Sequence, residues 1–262
     1  MRDKIVITWN IEQFREMVGT LREKPKKVDK IGLLYGKWGF GKTTTIEWYF
    51  ANSDCFYVRS LAAWGRSLNM MVEDILKCYQ VESQGILKRD FRELIQVAKK
   101  HQSPLFIDEA DRVVRKSILI ETIRDVHDLA RIPVILVGGE DIIDLLQRRD
   151  LGHIFSRITG IVEYKPLTAQ DIIVICRELC SLDCGIKVAL KIQALTLGDF
   201  RLFNTLLTKI EGSCSLSKTS EITMSILKKA SESTPGQDDL DSGISAGRSL
   251  EPGMDKPLKA VE

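Results

Sequence analysis

"KIGLLYGKWGFGKTTT", residues 30–45, joins a continuous apolar run to a loop carrying three glycines and ending in Lys42 and Thr43. The run reads as a buried strand of a parallel sheet, because such strands are covered on both faces and show no polar alternation. Gly36, Gly41, Lys42 and Thr43 fall at the spacing of a phosphate-binding loop, with a strand before it and a helix after it. Loop residues Gly36, Lys37, Trp38, Gly39, Phe40, Gly41, Lys42, Thr43 and Thr44 are the expected nucleotide cradle. Backbone N–H groups in such a loop point inward at phosphate oxygens, and the following helix adds the positive end of its dipole. Lys42 is expected to reach the terminal phosphates, and Thr43 to hold Mg²⁺.

A second element lies about 65 residues on. "PLFIDEAD", residues 104–111, is an apolar strand that ends in Asp108 and Glu109. An aspartate at the carboxyl end of a strand neighbouring the loop strand can hold the Mg²⁺ shell, and the glutamate beside it can polarise an attacking water. Two acids at this position point to ATP hydrolysis and not to nucleotide storage. Hydrolysis also needs cations to balance spreading charge. Arg157, in "HIFSRITG", and Arg201, in "GDFR", are placed to supply it, with Arg148 and Arg149 as rivals for the first role.

Outward from these motifs, strands and helices alternate. Strands are expected over 30–35, 55–59, 103–111, 132–139 and 160–164. Helices are expected over 8–22, 42–51, 67–79, 86–101, 118–130 and 141–149. This alternation implies an α/β fold, a P-loop parallel sheet wrapped by helices. Asn10 with Gln13 three residues on suggests a capping box for the first helix. After Pro166 four helical stretches follow with no strand between them. The expected organisation is an N-terminal helix and basic linker (1–30), an α/β nucleotide-binding domain (31–166), a small all-helical lid (167–231) and a disordered acidic tail (232–262).

The 262 residues are 44% hydrophobic, enough for such an arrangement. The tail holds seven acids and three bases, so its net charge is −4 and the rest of the chain carries +6. A positive body suits a nucleic-acid partner. No apolar run is long enough to span a membrane, and the first residues do not read as a secretory signal, so a cytoplasmic location is expected. Cys176, Cys180 and Cys184 share a helix face but lack a fourth close ligand, and read as small buried hydrophobes.

Phosphate loop, "IDEADR", "IPVILVG", "FSRI" and a helical lid with "GDFRLFNTLL" together resemble the AAA+ ATPases. Over residues 5–212 the chain is similar to the branch that holds origin-recognition initiators and DNA-transposition ATPases. Within that branch it looks most like the phage Mu B, TnsC and TniB transposition regulators. The resemblance implies a ring or helical filament with ATP and Mg²⁺ between subunits. It implies Arg157 acting in trans on the neighbour's nucleotide and Arg201 acting in cis from the lid. It implies nonspecific contact with the backbone of double-stranded DNA and a transposase as partner. Arg66, Lys88, Arg89, Arg112, Arg115 and Lys116 are the candidates for the DNA contact, and Trp64 is either a stacking group or core. With the first helix starting within about ten residues, the grip is expected from the ATPase body itself. The alternatives are a helicase-loader or replication-initiator-like AAA+ ATPase, and a nucleotide-switched protein-interaction module. One departure stands out. The strand ending in "VGGED" carries Gly139, then Glu140, where the family places a polar side chain, so slow hydrolysis is expected.

Overall fold

The computed structural model describes residues 4–148 and 151–232. The acidic tail beyond Glu232, and Arg149, lie outside the described residues. Five strands, β1 (Ile31–Tyr35), β2 (Phe56–Arg59), β3 (Leu105–Asp108), β4 (Val134–Val137) and β5 (Ile158–Glu163), form one parallel sheet in the order β2-β3-β4-β1-β5. The three central strands are buried almost throughout, as their unbroken apolar sequence requires. Chain order and spatial order part at β1, which lies between β4 and β5. Such a switch point leaves a crevice at the carboxyl ends of the strands, and the glycine loop enters it.

Helices α1 (Trp9–Glu23), α2 (Lys42–Asn52), α3 (Leu68–Cys78), α4 (Leu87–His101), α5 (Asp111–Val114), α6 (Ser117–Ala130), α7 (Ile142–Leu146) and α8 (Gly152–Phe155) surround the sheet. Side chains alternate along β1. Ile31 and Leu33 enter the core formed with Ile75, Leu94 and Ile123, whereas Leu34 joins Phe14, Val18 and Ile46 on the other face. Each of these buried side chains contributes about 1.5–3 kcal/mol by leaving water. Helix α1 lies close against the sheet because Gly32 and Gly160, partners in register, leave a flat seat; a Cβ on either would come within 3 Å of Leu21 or Met17.

From residue 167 a separate apolar cluster gathers α9 (Ala169–Cys180), α10 (Ile186–Thr196), α11 (Phe200–Leu216) and α12 (Met224–Glu232). Thr168 and Asp171 close a reciprocal cap on α9. Cys176, Cys184 and Cys214 are buried in this cluster, and among the described residues the cysteines form no group of metal ligands. No helix among the described residues is long and apolar enough to cross a membrane.

The structure corrects several expectations. β3 is not the neighbour of the loop strand; β4 stands between them, because strand order follows packing and not chain order. α1 begins at Trp9 without a side-chain cap. Asn10 lies inside its first turn, and its carboxamide exchanges hydrogen bonds of 2.8 and 3.1 Å with the backbone of Lys165. It ties α1 to the exit of β5. Of the two readings of Trp64, core is the one that holds: it is 1% exposed, and its indole N–H donates to Asp74 at 2.7 Å. α7 ends at Leu146, short of the expected 149, and the turn at Ala62–Arg66 and the short α5 and α8 are additional.

Candidate active site

The loop between β1 and α2 ends with Lys42 as the first residue of the helix. Lys42 is 9% exposed, and its ammonium donates to the Gly36 and Lys37 carbonyls at 2.6 and 2.8 Å. Burial lowers its pKa, while Asp108, Asp111, Glu109 and Glu140 pull it back up. The lysine is thus folded onto its own loop, held by neutral acceptors at a place where anionic oxygens would bind it more strongly.

Thr43 and Asp108 converge although β4 separates their strands. The Thr43 hydroxyl donates to Asp108 Oδ2 at 3.0 Å, and β4 is followed by Gly138 and Gly139, which put no side chain between. The same oxygen accepts from the Tyr57 hydroxyl at 3.1 Å, and Oδ1 accepts from the Glu109 N–H at 2.9 Å. Burial first, and Asp108 next, push the Tyr57 phenol pKa well up, so Tyr57 stays a donor. A hydroxyl and a carboxylate held together in this way are hard oxygen donors that fit Mg²⁺.

Glu109 adopts a left-handed backbone, φ 55°, which costs a non-glycine residue energy. The end of β2 holds it there: Ser60 Oγ donates to the Glu109 carbonyl at 2.6 Å, and the Arg59 guanidinium donates to Oε1 at 2.8 Å. Arg112 lies 3.6 Å from the other oxygen. Sequence reading missed Tyr57 and Arg59. The signal available was their two-residue spacing in "CFYVR", which puts both on one sheet face opposite Phe106 and Asp108.

The helical region after residue 167 closes the site from above. Asp199 caps α11 by accepting from the Leu202 N–H at 2.9 Å, and its carboxylate rests on Gly39. The Arg201 N–H donates to the Gly39 carbonyl at 3.2 Å, and Phe200 covers Gly41. Lys42, Thr43, Thr44, Asp108, Glu109 and Arg201 therefore share one cleft of about 410 Å³ with Trp38, Gly39 and Gly41. A larger cleft, about 610 Å³, adjoins it through Gly41, Thr44 and Phe200 and runs beneath the segment Lys4–Val6. Phe40, Trp48 and Tyr164 help line it, and sequence reading did not anticipate it. Gly36 and Lys37 face a third hollow beside Tyr164 and Asp199.

Gly139 has no side chain to offer an attacking water, and its N–H donates to Asp111 Oδ2 at 2.9 Å. Asp111, in the same cleft, is a further polar group that sequence reading passed over. Arg157 does not reach the cleft of its own chain. It precedes β5 at the opposite, amino edge of the sheet, where it donates to both Asp128 carboxylate oxygens at 2.8 and 2.9 Å. Arg148 follows α7 and does not line the cleft.

Of the basic residues, Arg66 ends the turn after β2, and the preceding Gly65 faces the Lys116 side chain. Arg112 and Arg115 belong to the short α5 segment after β3. Arg112 is partly engaged, donating to the Ser60 carbonyl at 3.0 Å. Lys88 and Arg89 open α4, whose start is tied to α3 by a 3.3 Å bond from Asn69 to the Gly85 carbonyl. The six thus gather around the carboxyl ends of β2 and β3.

The family described as "AAA domain" matches residues 26–146. No curated protein matches the chain. Among solved structures the chain is similar to the ORC2 protein of Aeropyrum pernix in its ADPNP and ADP complexes, at 12% identity and TM-score 0.65 over 92% of this chain and 73% of that one. It is similar to Cdc6p of Pyrobaculum aerophilum, at 18% identity and TM-score 0.60 over 85% and 65%. It is also similar to the Aeropyrum pernix ORC1 protein in complex with DNA, at 16% and 0.56 over 86% and 65%. The chain spans less than two thirds of the length of the latter two. At these identities the likeness establishes the fold: a P-loop AAA+ arrangement, a parallel five-stranded sheet flanked by helices with a helical region after it.

Proposed function

We propose that the chain is an ATP-hydrolysing, DNA-binding AAA+ ATPase of the replication-initiator type, working as an assembly of several copies. The observation that carries this reading is the convergence of Lys42, the Thr43–Asp108 pair, Glu109 and Arg201 on one cleft. ATP occupies that cleft with its base in the adjoining 610 Å³ space between Phe40, Trp48 and Tyr164. Lys42 leaves the Gly36 and Lys37 carbonyls for the terminal phosphates. Thr43 and Asp108 would hold Mg²⁺, which neutralises phosphate charge when bound. Glu109, released from Arg59, takes a proton from water, and Arg201 balances charge from the lid. Arg157 of a neighbouring copy supplies the remaining cation. Gly139 supports slow turnover, with ATP serving mainly as an assembly signal.

The transposition-regulator branch, which the sequence motifs favour, has no counterpart among the three structures compared. Two of those are ORC proteins and one is Cdc6p, and this supports the initiator alternative better; a transposase partner has no such support. DNA contact is supported by the six clustered basic residues and, at a distance, by the ORC1 structure being a DNA complex. Anisotropy of a labelled duplex with the full chain tests the reading. Binding in ATP and Mg²⁺ is expected to exceed binding in ADP at least tenfold and to weaken steeply with salt. Equal binding with and without nucleotide, or none, defeats it.

A further inference from the structure

At the amino edge of the sheet, away from the nucleotide cleft, Asp29, His127 and Asp128 bring one nitrogen and two carboxylate oxygens within 4.8 Å of one another. Asp29 precedes β1, and the other two lie in the last turn of α6. His127 is 1% exposed. Its Nδ1 lies 2.8 Å from the Ile132 carbonyl, an acceptor, so Nδ1 carries the proton. Nε2 is then the ring atom left for a ligand. It is buried without a hydrogen-bond partner and points at Asp29 Oδ1 and Asp128 Oδ1, 3.7 and 3.8 Å away. A buried imidazole nitrogen without a hydrogen-bond partner, beside two carboxylate oxygens, is the donor set of a transition-metal site.

We infer that this trio is a binding site for a divalent transition-metal ion of the Zn²⁺ or Co²⁺ class. An imidazole beside two carboxylates suits those ions better than Ca²⁺ or Mg²⁺, which prefer oxygen alone. A ligating histidine normally donates its other N–H to a carbonyl or carboxylate, as His127 does to Ile132. Two metal–ligand bonds of about 2.0–2.2 Å at a tetrahedral angle span roughly 3.4 Å, so the two Nε2–carboxylate pairs need to close by only a few tenths of an ångström, and the two carboxylate oxygens, within 4.8 Å of each other, by up to about 1.4 Å. Asp29 and Asp128 are half-buried, which leaves an approach from solvent.

The site has a resident competitor. Arg157 donates to both oxygens of Asp128 and lies 3.7 Å from Asp29, while Arg124 approaches Asp128 at 4.0 Å and pairs with Asp125. A metal ion taking Oδ1 of both aspartates loosens Arg157. That last consequence matters only if Arg157 acts on a neighbour's nucleotide; the binding site itself does not rest on that reading.

The test is a Co²⁺ titration of the nucleotide-free full chain in excess Mg²⁺, which covers Thr43 and Asp108. One equivalent of Co²⁺ should bind with visible d–d bands and no thiolate charge-transfer band. Affinity should fall at least tenfold in Asp29→Asn and in His127→Gln. Asp29→Asn changes a half-exposed side chain, so it remains informative should the buried His127→Gln chain not fold. No saturable Co²⁺ binding, a thiolate band, or binding unchanged in Asp29→Asn overturns the inference.

Discussion

Arg59 and Glu109 form an ion pair across the ends of β2 and β3, with the guanidinium 2.8 Å from Oε1. A carboxylate so paired is a poor base, because the cation holds the lone pairs a water proton must reach. Arg59 therefore keeps the proposed base idle until something draws it away. Arg59→Ala is expected to raise basal ATP hydrolysis two- to fivefold, whereas Glu109→Gln should lower it by about 10²–10⁴ with nucleotide affinity retained. Steady-state phosphate release and equilibrium binding of a fluorescent ATP analogue check both; a slower Arg59→Ala enzyme contradicts the idling role.

Tyr57 gives a cleaner test, because Tyr57→Phe deletes one hydroxyl and keeps the ring. Asp108 Oδ2 would lose one of its two side-chain donors. Hydrogen bonds to charged groups are worth about 1.5–3 kcal/mol, part of which water restores. The Mg²⁺ concentration for half-maximal binding of the ATP analogue should rise three- to tenfold, with Mg²⁺-free nucleotide binding unchanged. An unaltered Mg²⁺ requirement removes Tyr57 from the site.

These two residues also mark where sequence reading stopped. Lys42, Thr43, Asp108 and Glu109 were legible because loop spacing and an acid-ended apolar strand are local patterns. That β4 lies between β1 and β3 was not, since strand order is decided by packing between distant segments. "CFYVR" reads as a plain strand; only its register beside β3 gives the Tyr57 hydroxyl and Arg59 their partners. Asn10 looked like a cap and proved to be a tie to Lys165, a contact spanning 155 positions. The base-sized cleft needs three segments to meet and leaves no mark in any one of them.

The lid contact at Gly39 predicts a graded pair of variants. A Cβ there would lie 1.9 Å from Asp199 Oδ2, and φ is +86°, so Gly39→Ala strains the loop and pushes the lid away together. Asp199→Ala loses the cap of α11, about 1 kcal/mol, but leaves the loop intact. Gly39→Ala should therefore weaken ATP binding at least tenfold, and Asp199→Ala should mainly lower Tm by a few degrees. Titration with the ATP analogue alongside thermal melts separates the two; equal effects on binding would mean the loop does not lean on the lid.

Cys55 predicts a pH dependence. Burial, helped by Asp54 and opposed by Arg22, pushes its thiol from 9.0 up to about 12. In the unfolded chain the thiol ionises from pH 9 upward while the native thiol stays protonated. The native state then binds more protons, so stability is intact below pH 9 and declines between 9 and about 12. From pH 8 to 10 this one group should cost about 1 kcal/mol. Urea melts at the two pH values should show that loss, reduced by a similar amount in Cys55→Val. A variant with the same alkaline loss assigns it to other groups.

Arg157 cannot serve its own cleft. It precedes β5 at the amino edge, and β1, paired in parallel with β5, carries the loop at the far end of a five-residue strand, about 16 Å away. If the arginine acts at all, it acts on another copy, across a head-to-tail interface. Lys42→Ala lacks the cradle but keeps the arginine, and Arg157→Ala has the reverse. Each alone should hydrolyse little ATP. An equal mixture joins a good cradle to a good arginine at roughly one interface in four, so turnover should recover to about a quarter of the unaltered rate. If the mixture stays at the mean of its two components, the site is complete within one chain and the shared-site reading falls, leaving Arg157 as a structural partner of Asp128.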